Sequence, residues 1–449
     1  MLTDRMYVSL GSPELDLSDQ KIDELFSDAL AEALDDVEGE GPVLLLPPDA
    51  TRFHSKAGFL TDIASRELQN RDEGDRLGLV MPALGTHVAM SDAELERMFP
   101  RTPKDRFRSH DWRNDVVELG RIDAAWVKKT TEGAVDYDWP VQVNKEVRDG
   151  GNTLIISIGQ VVPHEVVGMA NHLKNVFVGT GGKEAIDKSH FAGAAYGMER
   201  MMGRADTPVR ALFDEAYSRF GNKIPPILWA LTVVGRRSDE EALASGMGRG
   251  SLAVRGLYLG FGREPFEKAA ALARIVNVDI LDEPIKKAVV YLESEEFRST
   301  WLGNKAIYRT RMAMADGGEL LILAPGLERF GEDPGIDALI RKHGYRTSPE
   351  IRAKTESDPE LSEALSAAAH LIHGSSEKRF TIRYCPGPGL SRSEIESVGF
   401  EWGNLAEASA RYDIHSLKVG WNTMSDGERI FFVPNPALGL WAERKRFEA

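Results

Sequence analysis

Val43-Leu44-Leu45-Leu46-Pro47-Pro48-Asp49-Ala50-Thr51-Arg52 joins a short, wholly apolar run to a polar segment through two prolines. Such a run, bounded by turn residues, reads as a strand buried on both faces. Two further stretches repeat the layout. Leu77 to Ala83 leads into Gly85-Thr86-His87, and Thr153 to Ile158 leads into Pro163-His164, with Lys174 beyond. Strands buried on both faces belong to parallel sheets covered by helices. In open α/β sheets, ligands bind beyond the carboxyl ends of the strands. These segments, with Ser189-His190, are therefore expected to converge on one pocket containing imidazoles, an amine and a guanidinium. That set suits an enzyme that moves protons and grips a carboxylate or a metal.

Working outward, 449 residues exceed what one core ordinarily supports, so two domains are expected. The net charge of −15 argues against a nucleic-acid partner, which would require a basic face. It leaves a small anionic substrate open, because local cations act within a Debye length of about 8 Å. One cysteine, Cys385, excludes an intrachain disulfide and a cysteine-cluster metal site. No apolar stretch approaches the roughly 18 residues of a membrane span. Met1-Leu2-Thr3-Asp4-Arg5 lacks the layout of a signal peptide. A cytoplasmic protein with no membrane partner is expected.

The first part alternates strands and helices. Met6 to Leu10 reads as an edge strand, and Ser18 to Val37 as an amphipathic helix capped by Ser18. Ser91-Asp92-Ala93-Glu94 is a capping box. Helices are predicted from Glu165, from Pro208 behind Thr207, and over Pro265 to Val276, with a strand at Val278 to Leu281. Asp282-Glu283-Pro284 is a turn signal that places the domain boundary, giving residues 1–284 as a cofactor-binding domain and 285–449 as a second, whose last residues return to the first. The second has strands at Ala288 to Leu292, Leu320 to Leu323, Phe380 to Tyr384, Leu417 to Gly420 and Ile430 to Val433, with helices at Pro334 to His343 and Ser362 to His373. The fold class is α/β: two domains, each a largely parallel sheet flanked by helices, with the active site in the cleft between them. The polar stretch from Arg101 to Trp139 is an insertion or a β-ribbon.

His87 and His164 follow buried strands, where an imidazole either faces a pocket or satisfies a backbone carbonyl. Two bases on opposite sides of a carbon suit reversible proton transfer or inversion of a stereocentre. Arg52 can hold a carboxylate by two parallel hydrogen bonds, or pair with Asp49. His190 lies in a predicted helix. His54 and His172 are near in sequence but carry no further signal. Gly179-Thr180-Gly181-Gly182 is either a phosphate cradle or a tight turn; Gly246 to Gly250 and Gly256 to Gly262 are equally ambiguous.

Taken in order, these motifs resemble the nickel-pincer lactate racemase family of 2-hydroxy acid racemases and epimerases. Asp49-Ala50-Thr51-Arg52 is similar to the family's Asp-His-Thr-Arg, with alanine for histidine. Leu84-Gly85-Thr86-His87 is similar to its Thr-Gly-Thr-His. The stretch from Val143-Asn144-Lys145-Glu146 through Ile158-Gly159 to Pro163-His164 resembles the strand before its second histidine. Lys174 falls at the cofactor-attached lysine and His190 at the nickel ligand. Lys305, ahead of Asp316-Gly317-Gly318, matches a substrate-contacting lysine.

The resemblance implies an isomerase using a nickel-pincer nucleotide (nickel pyridinium-3,5-bisthiocarboxylic acid mononucleotide). Lys174 would carry it as a thioamide, Asp49 and Thr51 would border it, and His190 would ligate nickel. Arg52 and Lys305 would hold the carboxylate of a small 2-hydroxy acid, and His87 and His164 would serve as acid and base. Cofactor-maturation enzymes would be partners. Two departures stand out. The family's Ser-Gly-Gly-Arg before the attached lysine is Ala170-Asn171-His172-Leu173 here, and its glutamine before the second-domain lysine is Leu302, beside Trp301. Both are read as bordering the pocket and as favouring a substrate larger than lactate, an aldonic sugar acid or an aromatic one. A zinc-dependent lyase or hydrolase and a non-catalytic carboxylate-binding protein on the same fold are the alternatives, although no H-E-x-x-H is present. Oligomeric state is not legible.

Overall fold

Val43–Leu46 is a strand whose four side chains are all shut off from solvent. Each such side chain stabilises the fold by about 1.5–3 kcal/mol relative to an exposed one. The computed structural model describes residues 4–71, 74–248, 250–437 and 439–448. Met1-Leu2-Thr3, part of the N-terminal reading, and Arg249, inside one glycine-rich run, lie outside the described residues. The chain forms two compact units: Met1–Ser189 with Met202–Asn277, and His190–Met201 with Val278–Ala449. The second unit thus starts at Val278 rather than after Pro284, holds the C-terminal residues, and takes in a segment containing His190.

In the first unit the strands are β1 (Met6–Gly11), β2 (Val43–Leu46), β3 (Leu77–Val80), β4 (Val116–Ile122), β5 (Trp139–Asn144), β6 (Leu154–Gln160), β7 (Pro163–His164), β8 (Gly168–Met169), β9 (Ile227–Arg236) and β10 (Leu252–Gly260). The main sheet has the order β1-β10-β9-β6-β2-β3. β9, β6, β2 and β3 run parallel, whereas β10 is antiparallel to both neighbours. β1 is an edge strand as expected, and the Arg101 to Trp139 region contributes to a two-stranded antiparallel ribbon of β4 and β5.

Helices begin where the caps predict. Ser18 accepts the Lys21 N–H ahead of Asp19–Asp35, Ser91 and Glu94 form a reciprocal capping box, and Pro208 opens Pro208–Phe220 behind Thr207. The helix predicted from Glu165 does not form. His164 instead pairs with Gly168 across a tight β7–β8 turn. Val166 and Val167 are β-branched, and Gly168 sits at φ +81°, a combination that favours the turn over a helix.

The second unit contains β11 (Val278–Leu281), β12 (Ile285–Tyr291), β13 (Met314–Ala324), β14 (Thr381–Pro386), β15 (Glu401–Trp402), β16 (Gly420–Thr423), β17 (Arg429–Val433) and β18 (Leu440–Glu443). Its sheet has the order β15-β14-β13-β12-β17-β16, parallel except for β16. The strand expected at Leu417 to Gly420 begins only at Gly420, which holds φ +88° and turns the chain into the sheet. β11 and β18 form a separate parallel pair.

Candidate active site

β2, β3 and β6 are parallel and adjacent, so their carboxyl ends share one edge of the first sheet. Asp49, just past β2, caps the short turn Ala50–Ser55. Its Oδ1 accepts the Thr51 N–H at 3.2 Å and the Thr51 hydroxyl at 2.5 Å. Its Oδ2 meets Nδ1 of His87 at 2.5 Å. The loop after β3 delivers His87 by turning at Gly85, which holds φ +58° and donates its N–H to the Gly179 carbonyl at 2.9 Å. Burial alone would raise the Asp49 pKa. The His87 ring, the Thr51 donors and the Arg52 guanidinium overcome that and hold the carboxyl well below its usual range. An ionised carboxylate only accepts, so His87 Nδ1–H donates to it and Nε2 is left as the ring nitrogen that can exchange a proton. The His87 side chain is 43% exposed and Asp49 only 8%, so the base faces outward from a fixed support.

His164, after β6, is arranged oppositely. Its Nδ1 accepts the Val166 N–H at 3.1 Å, so Nε2 carries the proton. Glu165 lies 3.7 Å from that same Nδ1, beyond hydrogen-bond reach, and the N–H contact fixes the ring state. The side chain is 8% exposed.

Lys174 is in the helix Leu173–Phe177, which is too short to carry it away from the strand ends. Next to it, Asn175 Nδ2 donates to Ser157 Oγ of β6 at 3.3 Å. The Lys174 side chain is partly exposed, yet crowded enough that desolvation lowers its pKa to about 8. Arg52 lowers it further, while Glu165 and Asp49 act the other way. The amine therefore feels the residues that accompany both histidines. Among the described residues the Arg52 guanidinium makes no hydrogen bond or ion pair, and its charge remains available to an incoming anion.

Gly179-Thr180-Gly181-Gly182 is a packing device. The Gly179, Thr180 and Gly181 N–H groups donate within their own turn, and a Cβ on Gly179 would lie 2.3 Å from the Asn175 carbonyl. His172 is buried between Trp229 and Phe266, with ring centroids 4.1 and 5.1 Å away, so it does not border a pocket.

His190 and Lys305 belong to the second unit. His190 is half-buried on the helix Lys183–Tyr196. Its segment is anchored by Glu199, which accepts from Arg311 and Arg379, each at 3.1 Å. Lys305 opens the helix Lys305–Tyr308, with Nζ 5.5 Å from the Phe297 ring centroid. The preceding Asn304 accepts the Tyr384 hydroxyl at 2.8 Å, and half-buried Trp301 lies tilted against His370 with ring centroids 4.4 Å apart. Among the described residues, no group of three His, Cys, Asp or Glu side chains is placed to hold a metal ion.

Sequence reasoning did not foresee the Asp49–His87 pair or the influence of Glu165 on Lys174. Asp49 was legible as a cap, because aspartate before Ala-Thr-Arg favours an N-terminal turn.

An α/β protein with titratable groups gathered at strand ends is thus defined. Residues 16–202 match the lactate racemase N-terminal domain family. The structure is similar to that of a Thermotoga maritima protein, with a TM-score of 0.78 at 23% identity, covering 97% of this chain and 100% of the other. It is also similar to the lactate racemase apoprotein of Thermoanaerobacterium thermosaccharolyticum, with a TM-score of 0.66 at 13% identity over 93% of each chain. No curated protein matches.

Proposed function

We propose that the protein is a racemase or epimerase of a 2-hydroxy acid that works with a nickel-pincer nucleotide. The observation that carries this reading is the opposite hydrogen bonding of two histidines beyond one edge of the same sheet: His87 Nδ1–H donates to Asp49, whereas His164 Nδ1 accepts the Val166 N–H. Inversion at a hydroxyl-bearing carbon needs one group that takes a proton and one that gives it.

The residues present fit the cofactor at its attachment point. An amine with a pKa of about 8 is unprotonated often enough near neutral pH to acylate, which an ordinary lysine is not. When bound, the group would supply a reversible acceptor for the hydride on the substrate carbon. His190 stands as the nickel ligand by resemblance. Arg52 binds the substrate carboxylate, and Lys305 is proposed as a second cation for it. His87 Nε2 takes the hydroxyl proton of one enantiomer, and Asp49 stabilises the imidazolium that results. His164 Nε2 returns a proton for the other enantiomer. Thr51 holds Asp49 in place, and through it both residues support His87.

Because His172 is stacked away inside the fold, the case for a substrate larger than lactate rests on Trp301 and Leu302. The test uses protein made together with cofactor-maturation enzymes. Intact mass should show a nucleotide-sized adduct mapping to Lys174, with nickel present. Chiral chromatography should then show racemisation of a member of a 2-hydroxy acid panel. Absence of both adduct and racemisation would sink the proposal, and turnover of lactate alone would remove the larger substrate.

A further inference from the structure

Two consecutive non-glycine residues just before Lys174 occupy left-handed backbone. Asn171 holds φ +68°, and His172 holds φ +56° with ψ −139°, a region that side chains other than glycine's rarely enter. Strain of this kind persists only where surrounding contacts impose it, and here they come from three directions. Arg210, buried at the start of the helix Pro208–Phe220, donates to the carbonyls of Met169 at 2.6 Å and Asn171 at 3.2 Å. Its guanidinium also lies 4.3 Å from the Phe266 ring centroid. The His172 ring is stacked on Phe266 and tilted against Trp229, and its Nε2–H donates to the Gly262 carbonyl at 3.2 Å. Asn171 Oδ1 accepts the His172 N–H at 2.7 Å, and its amide lies against Gly159, where a Cβ would come within 2.4 Å of Nδ2.

A buried arginine spent on two backbone carbonyls is costly to desolvate, and its pKa is pushed down to about 10 by that burial. The site it serves leads directly into the helix that carries Lys174. We infer that Arg210 and His172 are positioning residues that clamp the Asn171–His172 elbow and thereby fix where the Lys174 amine points. The inference rests on the reading of Lys174 as the reactive amine. The elbow acts by keeping that amine crowded among Arg52, Glu165, Asp49 and Arg210, the charged groups that face it. A relaxed elbow would let the side chain reach water and behave as an ordinary lysine.

The test uses the full chain made without cofactor-maturation enzymes, so that the amine is free. Acetylation of Lys174 by a water-soluble N-hydroxysuccinimide ester is followed by peptide mass spectrometry from pH 6.5 to 10.5, with exposed Lys418 as internal reference. Wild type is expected to titrate with a midpoint near pH 8. Arg210→Lys keeps the charge and loses the planar fork. His172→Gly keeps a residue at ease in this backbone region and loses the stack. Both midpoints are expected to rise by about one pH unit or more, toward the ordinary lysine value. His172→Gly serves if the Arg210 variants fail to fold. An unmoved midpoint in folded His172→Gly overturns the inference. So does a shift in Arg210→Met that Arg210→Lys does not share, since charge alone would then act. A missing cofactor adduct would undo the proposed function and leave these midpoints, and the elbow, standing.

Discussion

Nδ1 of His87 and Oδ2 of Asp49 lie 2.5 Å apart, on loops that leave two neighbouring parallel strands. The carboxylate fixes the tautomer of the ring and stabilises its charged form. Asp49→Asn keeps the shape and removes the charge. On the proposed function, turnover should fall by about 10²–10⁴-fold, the span of a general acid–base contribution. Retention of wild-type turnover would show that the pair is only structural. The same variant has an acid signature. The folded Asp49 pKa lies below its ordinary value of 3.8, so its stabilising effect is complete above that pH and is lost as pH falls toward the folded value. The stability gap between wild type and Asp49→Asn, from urea unfolding, should be constant above pH 4 and narrow below it.

For Lys174 it is the charged form that costs stability, although stability again rises with pH. Burial lowers its pKa from 10.5 to about 8, so the folded chain pays to keep it charged at neutral pH. The unfolded chain binds more protons between those values, and stability rises with pH across that window. Lys174→Met should therefore be more stable than wild type at pH 7, with the advantage fading toward pH 10.5. A pH-independent difference would mean that the amine is not desolvated.

Arg52 offers a cleaner separation of binding from folding. Its guanidinium makes no hydrogen bond among the described residues, so Arg52→Ala should leave the unfolding midpoint nearly unchanged. A charge-assisted hydrogen bond contributes about 1.5–3 kcal/mol, which predicts a rise in KM of about 10–100-fold. A loss of stability without a change in KM would assign Arg52 to the scaffold.

Gly159 reports on the packing behind the site. A Cβ there would meet Asn171 Nδ2 at 2.4 Å, and the residue holds φ +153°. Gly159→Ala should cost about 1–3 kcal/mol in denaturant unfolding, as overpacked interior positions do. An unchanged midpoint would mean that Asn171 yields without strain.

The strands next to chemistry were legible because burial on both faces leaves an unmistakable apolar run, and caps such as Ser18, Ser91 and Thr207 mark helix starts by their own hydrogen bonds. What was missed had local reasons. β9, Ile227–Arg236, is as apolar as β6, but β10 is broken by Gly256, and the antiparallel pair they form departs from the strand–helix alternation being followed. The elbow was invisible because nothing in Ala170-Asn171-His172-Leu173 announces positive φ. Asn171 and His172 hold positive φ although neither is glycine, in a segment gripped by Arg210 and by the rings around His172. The grouping of His190 with residues far along the chain depends on Arg311 and Arg379, which no periodicity reveals.

That grouping matters to anyone recombining this protein with a relative. A single crossover at Asn277–Val278 splits the sequence at a compact-unit boundary, yet leaves His190–Met201 from one parent and its anchoring arginines from the other. Parents that differ at Glu199, Arg311 or Arg379 would yield hybrids in which the His190 segment is moored to a foreign surface. Exchanging 190–201 together with the C-terminal half keeps that mooring native, and treats one short internal stretch as part of a module whose remaining sequence begins at Val278.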